Sequence, residues 1–129
     1  TASRVARNIT KLAEKTYDFG DLAPSYLYLI MIVKFHPEVT QKELCHKMSI
    51  APSTSTRFID KLEKHKLVIR KVSGKQTYIS LTEEGEQVYK QFRVSLKEMF
   101  ASYSQILGRE FSLDLSKMLH EASNKLEEA

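Results

Sequence analysis

Cations are concentrated in one twenty-residue stretch of the chain. Residues 57–76 carry seven lysine or arginine side chains and two acidic ones, a net charge of +5, whereas the whole chain carries +4. Residues 82–129 carry six basic and nine acidic side chains and offset much of that excess. Lysine and arginine neutralise nucleic-acid phosphates, although most charge runs are only solvated protein faces. The place of these cations in the fold therefore decides between the two interpretations.

Short polar residues precede this segment on the same predicted helix. Apolar spacing predicts that helix from Pro52 to about His65, with Phe58, Ile59 and Leu62 on its inner face. The residues that it offers to a nucleic acid are Ser53, Thr54, Thr56, Arg57, Lys61 and Lys64. Small hydroxyls allow close approach to base edges in the major groove, and an arginine can reach a guanine edge or a phosphate. The alternative for the serine–threonine cluster is capping of the helix N-terminus.

Hydrophobic periodicity predicts the elements that position these residues. Helices are expected over residues 2–15, 24–34, 41–48, 52–65, 83–107 and from about 112 onward. The run Tyr26–Val33 is apolar on nearly every side, so we expect its helix to be covered all round at the centre of the domain, with a strand as the competing interpretation. Residues 68–72 and 76–81 predict a β-hairpin. Residues 82–85 predict a cap at the start of the long helix that follows it. The fold class is therefore mainly α, with about six helices and a short two-stranded β-hairpin in one domain, 1–129.

Two of the short helices and the hairpin form a known arrangement. Thr40 and Glu43 predict a capping box before helix 41–48, whose inner face carries Leu44, Cys45 and Met48. Two such helices joined by a tight turn make a helix-turn-helix, and a hairpin directly after it is a wing. Expected contacts from the wing and to phosphates are Thr40, Arg70, Lys71, Lys75 and Gln76.

These motifs resemble the multiple antibiotic resistance regulator (MarR) family of winged-helix transcription factors. The resemblance rests on Thr40–Leu44, on Pro52–Lys64 and on Leu67–Arg70 followed by Leu81–Gly85. It implies a DNA-binding lobe over about 25–85 and dimerisation helices over about 2–18 and 86–128. The family's wing usually carries an Asp-x-Arg element, which Ser73-Gly74-Lys75-Gln76-Thr77 replaces here. Minor-groove reading by this wing is therefore left open.

The resemblance implies a homodimer on a pseudo-palindromic DNA operator, because two half-sites are read by two recognition helices. The terminal helices retain apolar residues that one winged-helix core does not use: Val5, Ile9, Leu12, Leu96, Met99, Leu115, Leu119 and Leu126. An isologous interface is the commonest oligomer, and a larger monomeric core is the alternative. We predict a repressor released by a small aromatic or lipophilic effector. Its binding residues stay unassigned, although the aromatic residues Tyr17, Phe19, Tyr26, Tyr28 and Phe35 are candidates for core packing or for a pocket.

Other functions are disfavoured by what the sequence contains. No nucleophile–base pair, paired carboxylates or phosphate-binding glycine loop is visible, so no catalytic residue, cofactor or enzyme activity is expected. Cys45 is predicted to be a buried structural thiol, and the four histidines show no metal-ligand spacing. No segment approaches a membrane-spanning length, and the single cysteine suits the cytoplasm. The alternatives left open are a protein-interaction module without a DNA target and a metal- or redox-responsive regulator.

Overall fold

The computed structural model describes residues 1–16 and 19–129 of the chain. Its helices are α1 (Ala2–Thr16), α2 (Pro24–Phe35), α3 (Gln41–Met48), α4 (Pro52–Lys64), α5 (Glu83–Leu107) and α6 (Arg109–Glu127). Strands β1 (Val68–Ser73) and β2 (Gln76–Leu81) lie between α4 and α5. In the described residues this is the mainly helical fold with one two-stranded sheet that the sequence predicts. The chain divides into two compact units, residues 19–94 and residues 1–18 with 95–129.

Helix α2 supplies the centre of the 19–94 unit. Pro24 occupies its first turn, where an amide hydrogen would have no helical partner. The strand alternative for this apolar run is wrong. The expectation of complete coverage is also wrong, since Tyr28 is 41% exposed in the single chain. The core residues that α2 does bury are Leu27, Leu29, Ile30 and Val33.

Helices α3 and α4 form the helix-turn-helix. The Thr40 hydroxyl accepts a hydrogen bond from the Glu43 amide at 3.1 Å, as the predicted cap requires. After α3, Ser49 takes a left-handed conformation with φ 53° that turns the chain toward α4. Leu44 of α3 and Ile59 and Leu62 of α4 are fully buried. These apolar positions fix both helices on the core and leave their polar faces outside.

The β1–β2 hairpin is the wing. Its antiparallel register pairs Val68 with Leu81 and Ser73 with Gln76, so only Gly74 and Lys75 form the turn. Gly74 has φ +61°, a conformation that a tight hairpin turn requires and that glycine adopts without strain. Thr40 forms an isolated antiparallel bridge to Tyr78 on β2. This bridge, which the sequence analysis did not predict, ties the wing to the start of α3.

The start of α5 is anchored on the residue that precedes β1. The Thr82 hydroxyl accepts from the Gly85 amide at 3.0 Å and donates to the Lys66 carbonyl at 2.6 Å. A Cβ on Gly85 would lie 2.1 Å from the Leu67 carbonyl oxygen, so this close approach requires glycine. The predicted cap at residues 82–85 is therefore confirmed and is also a tertiary contact.

The second unit contains α1, the later part of α5 and α6. Helix α6 begins at Arg109, three residues before the predicted start near Ser112. The reason is Gly108, which precedes the helix with φ +88° and whose carbonyl accepts from the buried Ser112 hydroxyl at 2.7 Å. Ser112 is thus an internal helix residue, because its short hydroxyl bonds back along α6.

Apolar side chains remain outside on all three helices of this second unit. The members that are more than a third exposed are Val5, Ile9, Ile106, Leu107, Phe111, Leu113, Met118, Leu119 and Leu126. The exposed fractions of Leu119 and Leu126 reach 52% and 76%. Exposed apolar side chains that form one patch mark interaction sites, whereas single scattered ones are ordinary. Among the described helices, none is both long and apolar enough to span a bilayer.

Candidate nucleic-acid interface

The first turns of α4 present polar side chains that the fold itself does not use. Ala51 is the N-cap residue and makes no side-chain cap, so the capping alternative for Ser53 is wrong. Ser53 and Arg57 are exposed, and Thr54 is half-buried. Because Pro52 at the helix start needs no capped amide, these side chains remain available for an external partner.

Thr56 holds the two helices of the helix-turn-helix together. Its hydroxyl donates to the Pro52 carbonyl at 3.0 Å and accepts from the Gln41 amide nitrogen, also at 3.0 Å. Its donor hydrogen and one of its two acceptor lone pairs are thereby occupied. Thr56 therefore positions α3 against α4 in the single chain, and its direct contact with DNA stays a prediction. Gln41 was missed by the sequence analysis, since only the packing of α3 on α4 brings it to Thr56.

Lys61 faces the segment before α2. Its ammonium donates to the Asp21 carbonyl at 2.9 Å, lies 3.5 Å from the Asp21 carboxylate and stands 4.9 Å from the centre of the Tyr26 ring. His65 approaches the same carboxylate at 3.3 Å. Lys61 therefore ties the end of α4 to residue 21, which makes it a poor candidate for the phosphate contact that the sequence suggested.

Asp21 is held in its charged form by this cluster. Desolvation is the largest single influence and raises the pKa of its carboxyl, but the charges of His65 and Lys61, with hydrogen bonds, outweigh it. The pKa of Asp21 consequently lies below its ordinary value. The carboxylate remains ionised at neutral pH, where it balances a cation of α4.

Arg70 joins the wing to α4. Its guanidinium lies 2.6 Å from the Asp60 carboxylate and 3.2 Å from the Glu63 carboxylate, and it reaches the Thr56 carbonyl at 3.4 Å. The side chain is only 21% exposed. Two carboxylates more than balance its charge, so in the single chain Arg70 bridges strand and helix. The phosphate contact expected of it stays a prediction.

The exposed cations of the basic segment are those left after these pairings. Asp60 and Glu63, the segment's two acids, both pair with Arg70. The remaining exposed cations are Arg57, Lys64, Lys66, Lys71 and Lys75. Lys66 was not singled out from the sequence, and its left-handed φ of 60° places it in the turn between α4 and β1. The solvated positive charge thus comes from the start and end of α4 and from the wing.

The wing carries its cations on exposed positions near the turn. Lys71, Lys75 and Gln76 are all exposed. Lys71 also lines an open surface pocket of about 360 Å³ together with Glu38. Thr40, by contrast, is 6% exposed and uses its hydroxyl in the α3 cap, so only backbone amides at this helix end can serve a phosphate.

The aromatic candidates for an effector site pack mainly against other rings. Phe19 and Tyr28 meet Phe92 edge-on at centroid distances of 6.3 and 5.6 Å. Tyr26 stacks on Phe58 at 4.4 Å, and Phe35 meets Tyr89 at 6.0 Å. Tyr17 lies outside the described residues. Within the 19–94 unit the observed role of these rings is therefore packing.

Comparison with known proteins identifies relatives of this helix-turn-helix. Residues 23–73, which include α2, α3, α4 and β1, match the model of the MarR family. The transcriptional repressor MdtR of Bacillus subtilis is 27% identical over 92 residues, covering 69% of this chain and 59% of the repressor.

Two solved structures share the fold over nearly the whole chain. The MepR–DNA complex of Staphylococcus aureus aligns with a TM-score of 0.81 at 18% identity, covering 96% of this chain and 93% of MepR. The PcaV transcriptional regulator of Streptomyces coelicolor, in complex with its natural ligand, also gives 0.81, at 16% identity over 95% of this chain and 89% of PcaV. The family and these relatives are transcription regulators rather than enzymes. The chain belongs to the MarR family of helix-turn-helix transcription regulators.

Proposed function

We propose that this chain acts as a homodimeric, sequence-specific repressor that binds a pseudo-palindromic operator in double-stranded DNA. The observation that carries the proposal is the start of α4, where Ser53 and Arg57 are exposed and the N-cap residue Ala51 forms no side-chain cap. A recognition helix needs free polar side chains at its N-terminal end to reach base edges in the major groove. MdtR, which is named a repressor, supports this direction of regulation.

The proposed contacts fall into two classes. Ser53, Thr54 and Arg57 read base edges, because they lie on the first turns of α4. Phosphate and wing contacts come from the exposed polar and basic residues of the later α4 and the wing, namely Lys64, Lys71, Lys75 and Gln76. Lys66 joins this second class as a cation in the preceding turn. The amides at the Thr40 end of α3 serve one further phosphate.

Dimerisation is proposed through the unit that contains α1 and α6. Its exposed apolar residues include Leu119 and Leu126, each more than half exposed in the single chain. Covering them with a second copy would remove this apolar surface from water at about 25 cal/mol per Å². The sequence-based division into a DNA-binding lobe (25–85) and dimerisation helices (2–18 and 86–128) remains part of this proposal. We infer a cytoplasmic location, where the operator is.

Dimerisation is testable with a charge on the proposed interface. Leu119→Asp should convert the dimer to monomer, because a carboxylate would be buried without a partner. Asn124→Asp, an exposed polar position on the opposite face of the same helix, is the matched control and should leave the dimer intact. Sedimentation equilibrium gives the mass of each. A wild-type chain that remains monomeric at high micromolar concentration would contradict the proposed dimer.

Release by a small aromatic or lipophilic effector is the finer part of the proposal. PcaV, which shares the fold, was crystallised in complex with its natural ligand. An effector must bind one dimer state better than the other, since only differential affinity shifts an equilibrium between them. Isothermal titration with a panel of phenolic carboxylates and fatty acids identifies the chemical class of the effector. The affinity for the operator is then measured with each ligand bound. Ligands that bind without lowering operator affinity would remove effector release from the proposal.

DNA binding is tested with a duplex selected from a randomised pool. Arg57→Ala should weaken specific binding by about 1–3 kcal/mol, because a base or phosphate contact is lost. Arg93→Ala, an exposed arginine on α5 outside the proposed interface, is the control and should bind as the wild type does. Affinity is measured by fluorescence anisotropy at several salt concentrations. Equal affinity of the Arg57 variant and the wild type would refute the assignment of α4.

Salt dependence separates this function from the alternative of a protein-interaction module. Binding that neutralises phosphates must weaken steeply as salt rises. A chain that recovers no enriched sequence, and whose weak duplex binding does not respond to salt, would instead support the interaction module.

A further inference from the structure

A cavity opens between the two helices of the helix-turn-helix. It has a volume of about 260 Å³ and is lined by Gln41, Lys42 and Cys45 of α3 and by Pro52 and Ser55 of α4. Ser55 is completely buried. Its hydroxyl oxygen has no hydrogen-bond partner within the described part of the chain. A buried hydroxyl normally has a partner, so this one marks a place where an incoming polar atom gains a hydrogen bond.

The chain's single cysteine lines the same cavity. Cys45 is half-buried, which corrects the sequence-based expectation of a fully buried thiol. Its position on the outer edge of the α3 inner face accounts for the difference. The thiol is thus within reach of a small molecule in the cavity, where Ser55 has a free hydroxyl.

Cys45 also has a structural task in the turn. Its thiol donates to the Ile50 carbonyl at 2.8 Å, and the Ile50 amide donates back to the Cys45 carbonyl at 3.2 Å. Ser49, between them, is held in the left-handed conformation. The two bonds close the turn that sets α4 relative to α3. Replacing the thiol hydrogen by carbon removes one of these two bonds.

We propose that Cys45 is a modification site for small α,β-unsaturated carbonyl compounds, whose adduct occupies the α3–α4 cavity and opens the helix-turn-helix. The sulfur forms a bond to the β-carbon, the carbon–carbon double bond becomes single, and the thiol proton ends on the α-carbon. No oxidant is consumed and nothing leaves.

Two cavity residues suit this chemistry. The Ser55 hydroxyl donates to the carbonyl oxygen, where negative charge develops during addition. Lys42, which lies one helical turn before Cys45, supplies a cation at the same cavity. A carbonyl compound therefore gains a hydrogen bond here that a simple alkylating agent does not.

The consequence for DNA follows from the turn. An adduct on Cys45 removes the bond to Ile50 and adds volume between α3 and α4, so the start of α4 loses its position. This last step rests on the proposed function, because it assumes that α4 reads DNA.

The first experiment measures addition itself, with methyl vinyl ketone as the probe. Mass spectrometry should find one adduct per chain, on Cys45, and none in Cys45→Ser, which keeps a hydrogen-bond donor without the nucleophile. Ser55→Ala should slow ketone addition by about threefold to tenfold, the value of one hydrogen bond, and Ser55→Thr should restore it.

Iodomethane, which has no carbonyl, is the control reagent. It should alkylate the wild type and Ser55→Ala at equal rates, because it reports only access to the thiol. If Ser55→Ala changes both rates by the same factor, or neither, the hydroxyl has no part in addition and the proposed site is wrong.

The second experiment follows the turn and DNA separately. The ketone adduct should speed hydrogen exchange at the Ser49 and Ile50 amides by at least tenfold and weaken binding to the selected duplex by at least tenfold. Treated Cys45→Ser should change less than twofold in both. An adduct that leaves exchange unchanged overturns the inference. If unmodified protein binds no duplex, the proposed function fails, while the adduct, the rates and the exchange still decide the inference.

Discussion

The two ends of α4 use similar residues for different purposes. At the first end, Ser53 and Arg57 are exposed and have no task in holding the fold. At the other end, Lys61 bonds to Asp21, and the acids of α4 clamp Arg70 of the wing. The difference teaches that a count of cations does not identify a DNA-binding surface. Only the charges left over after internal pairing can neutralise a phosphate.

Because α5 approaches Leu67 closely at Gly85, the stability of the fold should be sensitive to a single methyl group there. Gly85→Ala places a Cβ 2.1 Å from the Leu67 carbonyl oxygen, and backbone must move to relieve the overlap. We expect a loss of roughly 1–3 kcal/mol in the free energy of unfolding, measured by urea denaturation. Gln87→Ala, an exposed position on the same helix, is the comparison and should change the stability by less than about 0.5 kcal/mol. A Gly85 variant no less stable than the Gln87 variant would contradict the close contact.

Arg70 should matter to stability more than to phosphate binding. Arg70→Met leaves Asp60 and Glu63 without their cation, and because the carboxylates are themselves about half exposed we expect about 1 kcal/mol of lost stability. Arg70→Lys keeps the charge but loses the forked geometry of the guanidinium, so it should retain only part of the stability that the methionine variant loses. Chemical denaturation measures both. Full stability of the methionine variant, with a large loss of DNA binding, would move Arg70 to the DNA-contacting class.

Lys61 and Lys64 offer a matched pair on one helix. Lys64→Ala should reduce the slope of log affinity against log salt by about one, because one phosphate contact is lost. Lys61→Ala should leave the slope unchanged and instead loosen the contact to Asp21. Anisotropy titrations over a salt series give both slopes. Equal reductions would mean that Lys61 leaves Asp21 when DNA binds, and that internal pairing does not keep a cation from contacting a phosphate.

The smallest effect is expected from Asp21→Asn. The pKa of Asp21 is lowered in the folded chain, so its carboxylate contributes stability above the ordinary value of 3.8, and that contribution is lost as the pH falls through the folded pKa. The asparagine variant should therefore be slightly less stable than the wild type at pH 7 and equal to it near pH 2. Thermal unfolding across this range tests the sign. A difference that grows toward acid pH would contradict it.

Local patterns were sufficient for the elements but not for their side-chain partners. Thr40 and Thr82 predict helix caps, because capping depends on residues three apart in the sequence. Both caps form as predicted. Lys61 could not be assigned, because Asp21 is forty residues away and only the packing of α4 beside α2 brings them together. Charge balance gave one signal: Asp60 and Glu63 are the only acids within residues 57–76, and both pair with a cation of that segment.

The start of α6 and the state of Cys45 were misjudged for similar reasons. Ser112 was expected to open α6, since serine favours helix starts, but Gly108 takes that place with a positive φ. Cys45 shares a helix face with the buried Leu44, yet it lies at the margin of that face beside the cavity. The spacing of apolar residues predicts which face of a helix is buried. How far the residues at the margin of that face are exposed depends on how the neighbouring helix packs.

The two-residue turn of the wing makes this protein a convenient host for loop grafting. Gly74 has nothing near it, and the strand ends Ser73 and Gln76 are paired and exposed. Longer loops, including ones with the family's Asp-x-Arg element, can be inserted there without disturbing the core. A length series on one scaffold would then measure how much operator selectivity a wing adds to a recognition helix that stays the same.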